Sequence, residues 1–173
     1  MWGSHIPHHQ SEEYNLSVAL RQGVFQGCFF WLFYLPLAFI GFPPALFILM
    51  ASIDTLYQFW IHTRTIGKLG PLEWVLNTPS HHRVHHAKNP KYIDKNHAGI
   101  LIIWDRLFGS FVPETEEPRY GIIKPLRSYN PLWINMHGWV EMWHALKRAP
   151  GILGKIKCIF GSPNMDIKYG YEN

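Results

Sequence analysis

The sequence predicts a mainly α-helical chain: a membrane-embedded helical hairpin that carries a cytosolic, histidine-rich helical cap. Three observations lead there. Thirty consecutive residues, Val24 to Ile53, bear no charge. Gly41, Pro43 and Pro44 interrupt that run near its middle, where proline cannot continue a regular helix. An HxxHH pattern also occurs twice, as His5, His8, His9 before the run and as His82, His85, His86 after it.

Composition narrows the alternatives. At 173 residues the chain has room for one compact unit. It is 47% hydrophobic and only 16% charged, so it can bury enough apolar surface to offset chain entropy and is not disordered for most of its length. Two cysteines, Cys28 and Cys158, rule out a disulfide scaffold. The net charge of +4 suits nucleic acid and an anionic membrane equally. The uncharged run decides for the membrane, and no nucleic-acid partner is expected.

Taken in order, the first hairpin helix is expected over Leu16–Ile40, bent at Pro36, and the second over Ala45–Thr63. Each uninterrupted apolar half is about 17 residues, roughly 26 Å of helix, close to the thickness of a bilayer core. Both ends then emerge on one side, where Arg21 faces Arg64, Lys68 and Arg83. By the positive-inside tendency that side is cytoplasmic. The competing reading is a pair of core helices in a soluble protein, which would usually show a polar stripe. Gly67, Gly70 and Pro71 mark a turn, and residues 77 to 80 the start of a helix. Residues 99 to 111, GILIIWDRLFGSF, read as a short buried helix or a strand, with Asp105 and Arg106 as an ion pair. That segment is either a lid over the site or purely structural. Residues 113 to 119 form an acidic surface loop, and Trp133 to Lys147 has the spacing of an amphipathic helix. Residues 1–160 make up the domain and 161–173 a tail.

On a helix, positions i, i+3 and i+4 share a face, so each triplet points three imidazoles into one small volume. The hairpin brings the two triplets to the same end. Packed imidazoles repel when protonated and are costly to desolvate, whereas a divalent cation accepts neutral ring nitrogens as ligands. A metal site therefore competes with the plainer reading of polar, pH-sensitive helix faces. Zinc, iron, copper and nickel all suit an all-imidazole site. His62, at the returning end of the second helix, is a candidate seventh ligand, with Gln58 one turn earlier as its supporting partner. His81 lies one position off the stripe and is read as a supporting or surface residue. His97 is a candidate to cap the site. His137 and His144 are read as surface residues. The SEEYN segment, residues 11 to 15, is read either as continuation of the first helix or as a substrate contact.

Three stretches carry a family resemblance: WGSHIPHHQSEEYNLSVALRQG, YQFWIHTRTIGKLGPLEWVLNTPSHHRVHH and YIDKNHAGILIIWDRLFGSF. In this order and spacing the chain resembles the fatty acid hydroxylase and sterol desaturase superfamily, multi-pass membrane enzymes with three histidine boxes around two non-haem irons. The resemblance implies that His5, His8 and His9 form the second box and His82, His85 and His86 the third. His62 matches a histidine of the preceding membrane helix, and Gln58 stands where several members carry another. No residues here match the first box, HxxxH followed by Glu, which the family places just upstream of Trp2. The resemblance thus implies the C-terminal part of a longer enzyme. It further implies a monooxygenase using O2, two Fe ions and tetrahydrobiopterin to cleave the alkyl chain of a glycerol ether lipid, in the endoplasmic reticulum of a eukaryote. Alternatives are a sterol or fatty-acyl hydroxylase or desaturase of the same superfamily, and a non-catalytic metal-binding membrane protein.

Overall fold

The computed structural model describes residues 2–161; the rest of the expected tail, 162–173, lies outside the described residues. The order is α1 (Trp2–His9), α2 (Leu16–Leu20), α3 (Gln26–Phe39), α4 (Pro44–Trp60), α5 (Pro79–His85), α6 (Ile103–Phe108), α7 (Pro131–Arg148) and α8 (Gly151–Phe160). Among the described residues there is no strand, only the isolated bridges Leu76 to Leu101 and Ala87 to Tyr120.

The hairpin forms from α3 and α4, which pack through Tyr34 and Phe47 with ring centroids 4.6 Å apart. Pro44 starts α4 at a position where its missing N–H costs nothing, and Gly41 turns the chain at φ 84°. The first arm departs from expectation. One helix over Leu16–Ile40 is replaced by two, with residues 21 to 25 between them. Asn15 caps α2 by accepting from the Ser17 N–H, and Arg21 leaves the helical region at ψ 87°. Gly23 then lies against the Ser4 carbonyl of α1, where any Cβ would collide. Tight docking of α1 thus outweighs the local tendency to extend the helix. At 14 and 17 residues, no helix among the described residues is long and apolar enough to cross a membrane. The hairpin nevertheless leaves Phe39, Ile40, Ile48 and Leu56 largely exposed.

Behind it, α7 crosses α1 where Gly3 meets Gly138. A Cβ on Gly138 would lie 2.7 Å from Ile6 Cγ2 and 3.0 Å from Gly3 Cα, so only glycine permits the approach. Trp139 of α7 packs on Phe29 of α3, with centroids 4.9 Å apart. On the other flank, Thr78 and Pro79 open α5, and the Glu73 carboxylate accepts from the Thr78 and Ser80 hydroxyls and the Leu69 N–H. Residues 113 to 119 are the expected surface loop, with Pro113, Thr115, Glu116, Glu117 and Arg119 exposed, and the loop is anchored to the body of the chain. The Tyr92 hydroxyl accepts from the N–H groups of Thr115 and Glu116, and Arg83 grips Glu114 through two bonds of 2.7 and 2.6 Å. Arg83 also donates to the carbonyls of Thr63 and Ile66. It is a buried clasp.

GILIIWDRLFGSF becomes a bridge residue followed by α6. Asp105 and Arg106 do not pair, because successive helix positions face apart. Asp105 accepts from the His97 and Ala98 N–H groups and the Ser110 hydroxyl, while the Arg106 guanidinium lies 3.8 Å over the Phe111 ring.

Candidate metal centre

Three pieces of backbone deliver the histidines. α1 supplies His5, His8 and His9, α5 with its C-terminal residue supplies His82, His85 and His86, and the turn after α4 supplies His62. They gather into two adjoining groups. His8, His62, His82 and His86 form one and His5, His9 and His85 the other, with candidate ligand nitrogens of each within 4.8 Å of one another. The groups touch: His9 stacks on His86 at 4.2 Å between centroids, and His82 on His85 at 5.3 Å. All four rings of the first group, and His9, are buried.

The hydrogen bonds fix which nitrogen faces inward. The Nδ1 of His8 lies 3.1 Å from the Arg21 carbonyl, and that of His62 lies 2.6 Å from the Gln58 carbonyl. A carbonyl only accepts, so each Nδ1 carries the hydrogen and each neutral ring presents a bare Nε2 lone pair. Those two Nε2 atoms are 3.1 Å apart. The spacing continues from His62 to His82 at 3.0 Å and from His82 to His86 at 3.2 Å. The bare lone pairs of His8 and His62, 3.1 Å apart, repel unless a cation lies between them. Nitrogens about 2.1 Å from one ion stand about 3.0 to 3.4 Å apart at ordinary coordination angles, so the donor set fits a metal. In addition, His9 Nε2 and His82 Nδ1 are buried with no hydrogen-bond partner.

Electrostatics point the same way. Burial, then His8 and His85, pulls His5 down to about 3. Burial, then His97, holds His85 at about 3, and burial holds His62 at about 4. Burial and neighbouring imidazoles hold His9, His82 and His86 well below the ordinary value. Neutral rings are the form a metal binds.

The remaining candidates fall outside both groups. Gln58 supports His62 through its backbone carbonyl, while its side chain donates to Asp54 at 2.7 Å. His81 is buried but turned away, with Nδ1 toward the Leu76 carbonyl and Nε2 3.8 Å from Glu73. His97 is exposed, its ring 5.9 Å from that of His85. His137, expected at the surface, is buried and accepts from the Gln10 amide at 3.3 Å. His144 is half-buried.

Sequence reasoning missed Tyr14. Residues 11 to 15 do not continue α1. They turn so that the Tyr14 ring lies 5.1 Å from His86 and 5.8 Å from His62, with Tyr120 stacked on its other face at 4.6 Å. Its hydroxyl donates to the Ile61 carbonyl, and burial holds its pKa well above the ordinary phenol value. The SEEYN motif was the available signal, but nothing local tells that its tyrosine folds back onto the histidines.

The family model for fatty acid hydroxylase matches residues 1–110. The chain is 51% identical over 163 residues to alkylglycerol monooxygenase of Xenopus tropicalis and 48% identical over 163 residues to that of Homo sapiens. Each match covers 94% of this chain and 36% of the relative. An ornithine lipid hydroxylase of Rhizobium tropici is 31% identical over 77 residues, 44% of this chain and 23% of that protein. No solved structure matches. The chain spans about a third of the length of the alkylglycerol monooxygenases it matches. With 110 of its 173 residues inside the family model and its histidine patterns within that match, the chain belongs to the fatty acid hydroxylase family.

Proposed function

We propose that His5, His8, His9, His62, His82, His85 and His86 are metal ligands, and that they supply most of the ligand set of a two-iron centre in a membrane monooxygenase. Its reaction is hydroxylation of a lipid alkyl chain, and specifically O-alkyl cleavage of glycerol ether lipids with O2 and tetrahydrobiopterin. The observation that carries the metal reading is the pair of bare Nε2 atoms of His8 and His62, 3.1 Å apart and each fixed from behind by a carbonyl. The substrate class rests on the similarity to the alkylglycerol monooxygenases.

Bound iron together with O2 would supply an oxidant able to break an unactivated C–H bond. The chain's own residues do the rest. Carbonyls of Arg21, Gln58 and Lys95 hold the outer nitrogens of His8, His62 and His85 and so aim the rings before any metal arrives. Burial of Tyr14 and Tyr120 on one side of the cluster excludes water there. The exposed apolar side chains of α3 and α4 offer a bilayer-embedded surface along which an alkyl chain can lie. A hydroxyl placed on the carbon beside the ether oxygen gives a hemiacetal, which separates into a fatty aldehyde and a glycerol lipid. The ends of the hairpin face the cytoplasm, in the endoplasmic reticulum membrane of a eukaryote.

The test uses membranes holding the protein that carries this chain, supplied with labelled alkylglycerol. Labelled aldehyde should form only when tetrahydrobiopterin and O2 are both present. Hydroxylation of a sterol or acyl chain in its place would move the substrate to another lipid. Zinc alone in the purified protein, with no O2 uptake on any lipid, would refute the enzyme reading.

A further inference from the structure

We infer that α8 is a lipid-interface helix, its bare apolar face lying at the boundary between headgroups and acyl chains of a bilayer that contains anionic lipid. The inference deepens the membrane reading proposed above and rests on it.

One side of α8 is accounted for. Cys158 is buried in a cluster with Ala145 and Ala149, backed by Leu146, and Gly154 sits close to Pro150 and Ala149. The opposite side has no such cover: Ile152, Leu153, Ile156 and Phe160 are 75, 64, 46 and 66% exposed. At about 100° per residue these four positions share an arc of about 100°, with Cys158 diametrically behind it. Lys155 and Lys157 are exposed and fall on the two borders of that arc. An apolar arc edged by lysines is the pattern of a helix lying in a membrane surface, where the lysine stems cover apolar area and the ammonium groups reach the headgroups.

Charge selects the occupant. From Met142 to Gly161 there is no Asp or Glu, while Lys147, Arg148, Lys155 and Lys157 are cationic, which complements anionic headgroups. A separate apolar stripe lies on the side of α7 that faces away from the Ala145 and Ala149 seam holding α8. Leu132, Met136, Trp139 and Trp143 share one face of α7 at the same helical spacing. Leu132, Met136 and Trp143 are exposed, and Trp139 within that stripe packs on Phe25 and Phe29. An apolar surface therefore runs from α3 along α7. Lys147 stands over the Trp143 ring, 5.1 Å from its centroid, as aromatic and basic residues pair at a membrane boundary.

The full chain, with exposed Cys28 replaced by serine, is labelled with an environment-sensitive fluorophore at Leu153→Cys, Ile156→Cys or Ile48→Cys, the last in the hairpin. Each is reconstituted into phosphatidylcholine vesicles with and without phosphatidylserine, with doxyl lipids as quenchers. All three probes should be quenched. At 153 and 156 the quenching should fall several-fold without phosphatidylserine, or with Lys155→Gln and Lys157→Gln, while position 48 is unchanged. If position 48 is quenched and positions 153 and 156 remain in water, the α8 inference falls and the hairpin reading stands. Probes at 153 and 156 that are shielded from water yet untouched by doxyl lipid would assign the face to protein, such as a second copy of this chain, and overturn the inference. All three probes in water would sink both readings together.

Discussion

At the scale of single residues, the site is a problem of seven neutral imidazoles crowded into little space. His85→Ala removes a ring that reaches both groups, through His9 at 4.8 Å and His82 at 5.3 Å. The expected result is loss of about one ion per chain by metal analysis and a fall in turnover of about a hundredfold or more; an unchanged metal content would remove His85 from the ligand set. Protons compete for the same nitrogens. In the metal-free protein His5 and His85 are held near 3 and His62 near 4, whereas unfolded histidines titrate near 6.5. Between those values the unfolded chain binds more protons than the folded one. Stability of the metal-free protein is therefore intact above about pH 6.5 and declines as pH falls toward 3 to 4, by up to about 1.4 kcal/mol per pH unit for each such ring. Chemical unfolding across this range measures it, and a flat profile would contradict the neutral packing. The i, i+3, i+4 spacing made both triplets legible, because that geometry is local. It left open how seven rings divide into four and three, and it hid Tyr14, whose approach to His86 depends on a turn between helices.

At the scale of elements, α1 bears three of the rings and is placed by two close backbone approaches, at Gly23 and at Gly138. Gly138→Ala adds a methyl 2.7 Å from Ile6 Cγ2 and should cost about 1 to 3 kcal/mol as α1 is pushed off α7. Because His5, His8 and His9 move with α1 while His82, His85 and His86 do not, metal affinity should fall as well, read by competition with a chelator. Unaltered affinity alongside reduced stability would separate the α1–α7 contact from the site. The expected unbroken helix over Leu16–Ile40 failed for the same reason: residues 21 to 25 answer to α1, a partner that periodicity within the run cannot reveal. The Asp105–Arg106 pair failed because a buried carboxylate was claimed by the backbone N–H groups of His97 and Ala98.

At the scale of the whole molecule, the histidine cluster joins distant parts of the chain, since α1, the turn after α4 and α5 all converge on it. Metal that binds only the folded state stabilises it by about 2.7 kcal/mol at a hundredfold excess over its dissociation constant. Exhaustive chelation should therefore lower the melting temperature of the protein in bilayers, and iron should restore it; a melting temperature indifferent to chelator would argue against a structural bond through the site. The sequence by itself determined the mainly helical class, the apolar hairpin broken at Gly41 to Pro44 and the identity of the converging imidazoles, because periodicity, proline and residue spacing act over one or two helical turns. Only the tertiary structure decided which ring nitrogens face one another, that the buried Arg83 clasps the half-buried Glu114, that His137 is buried and that α8 is left with an apolar face. Each of those depends on which distant segment lies alongside, and such contacts are settled by packing of the whole chain.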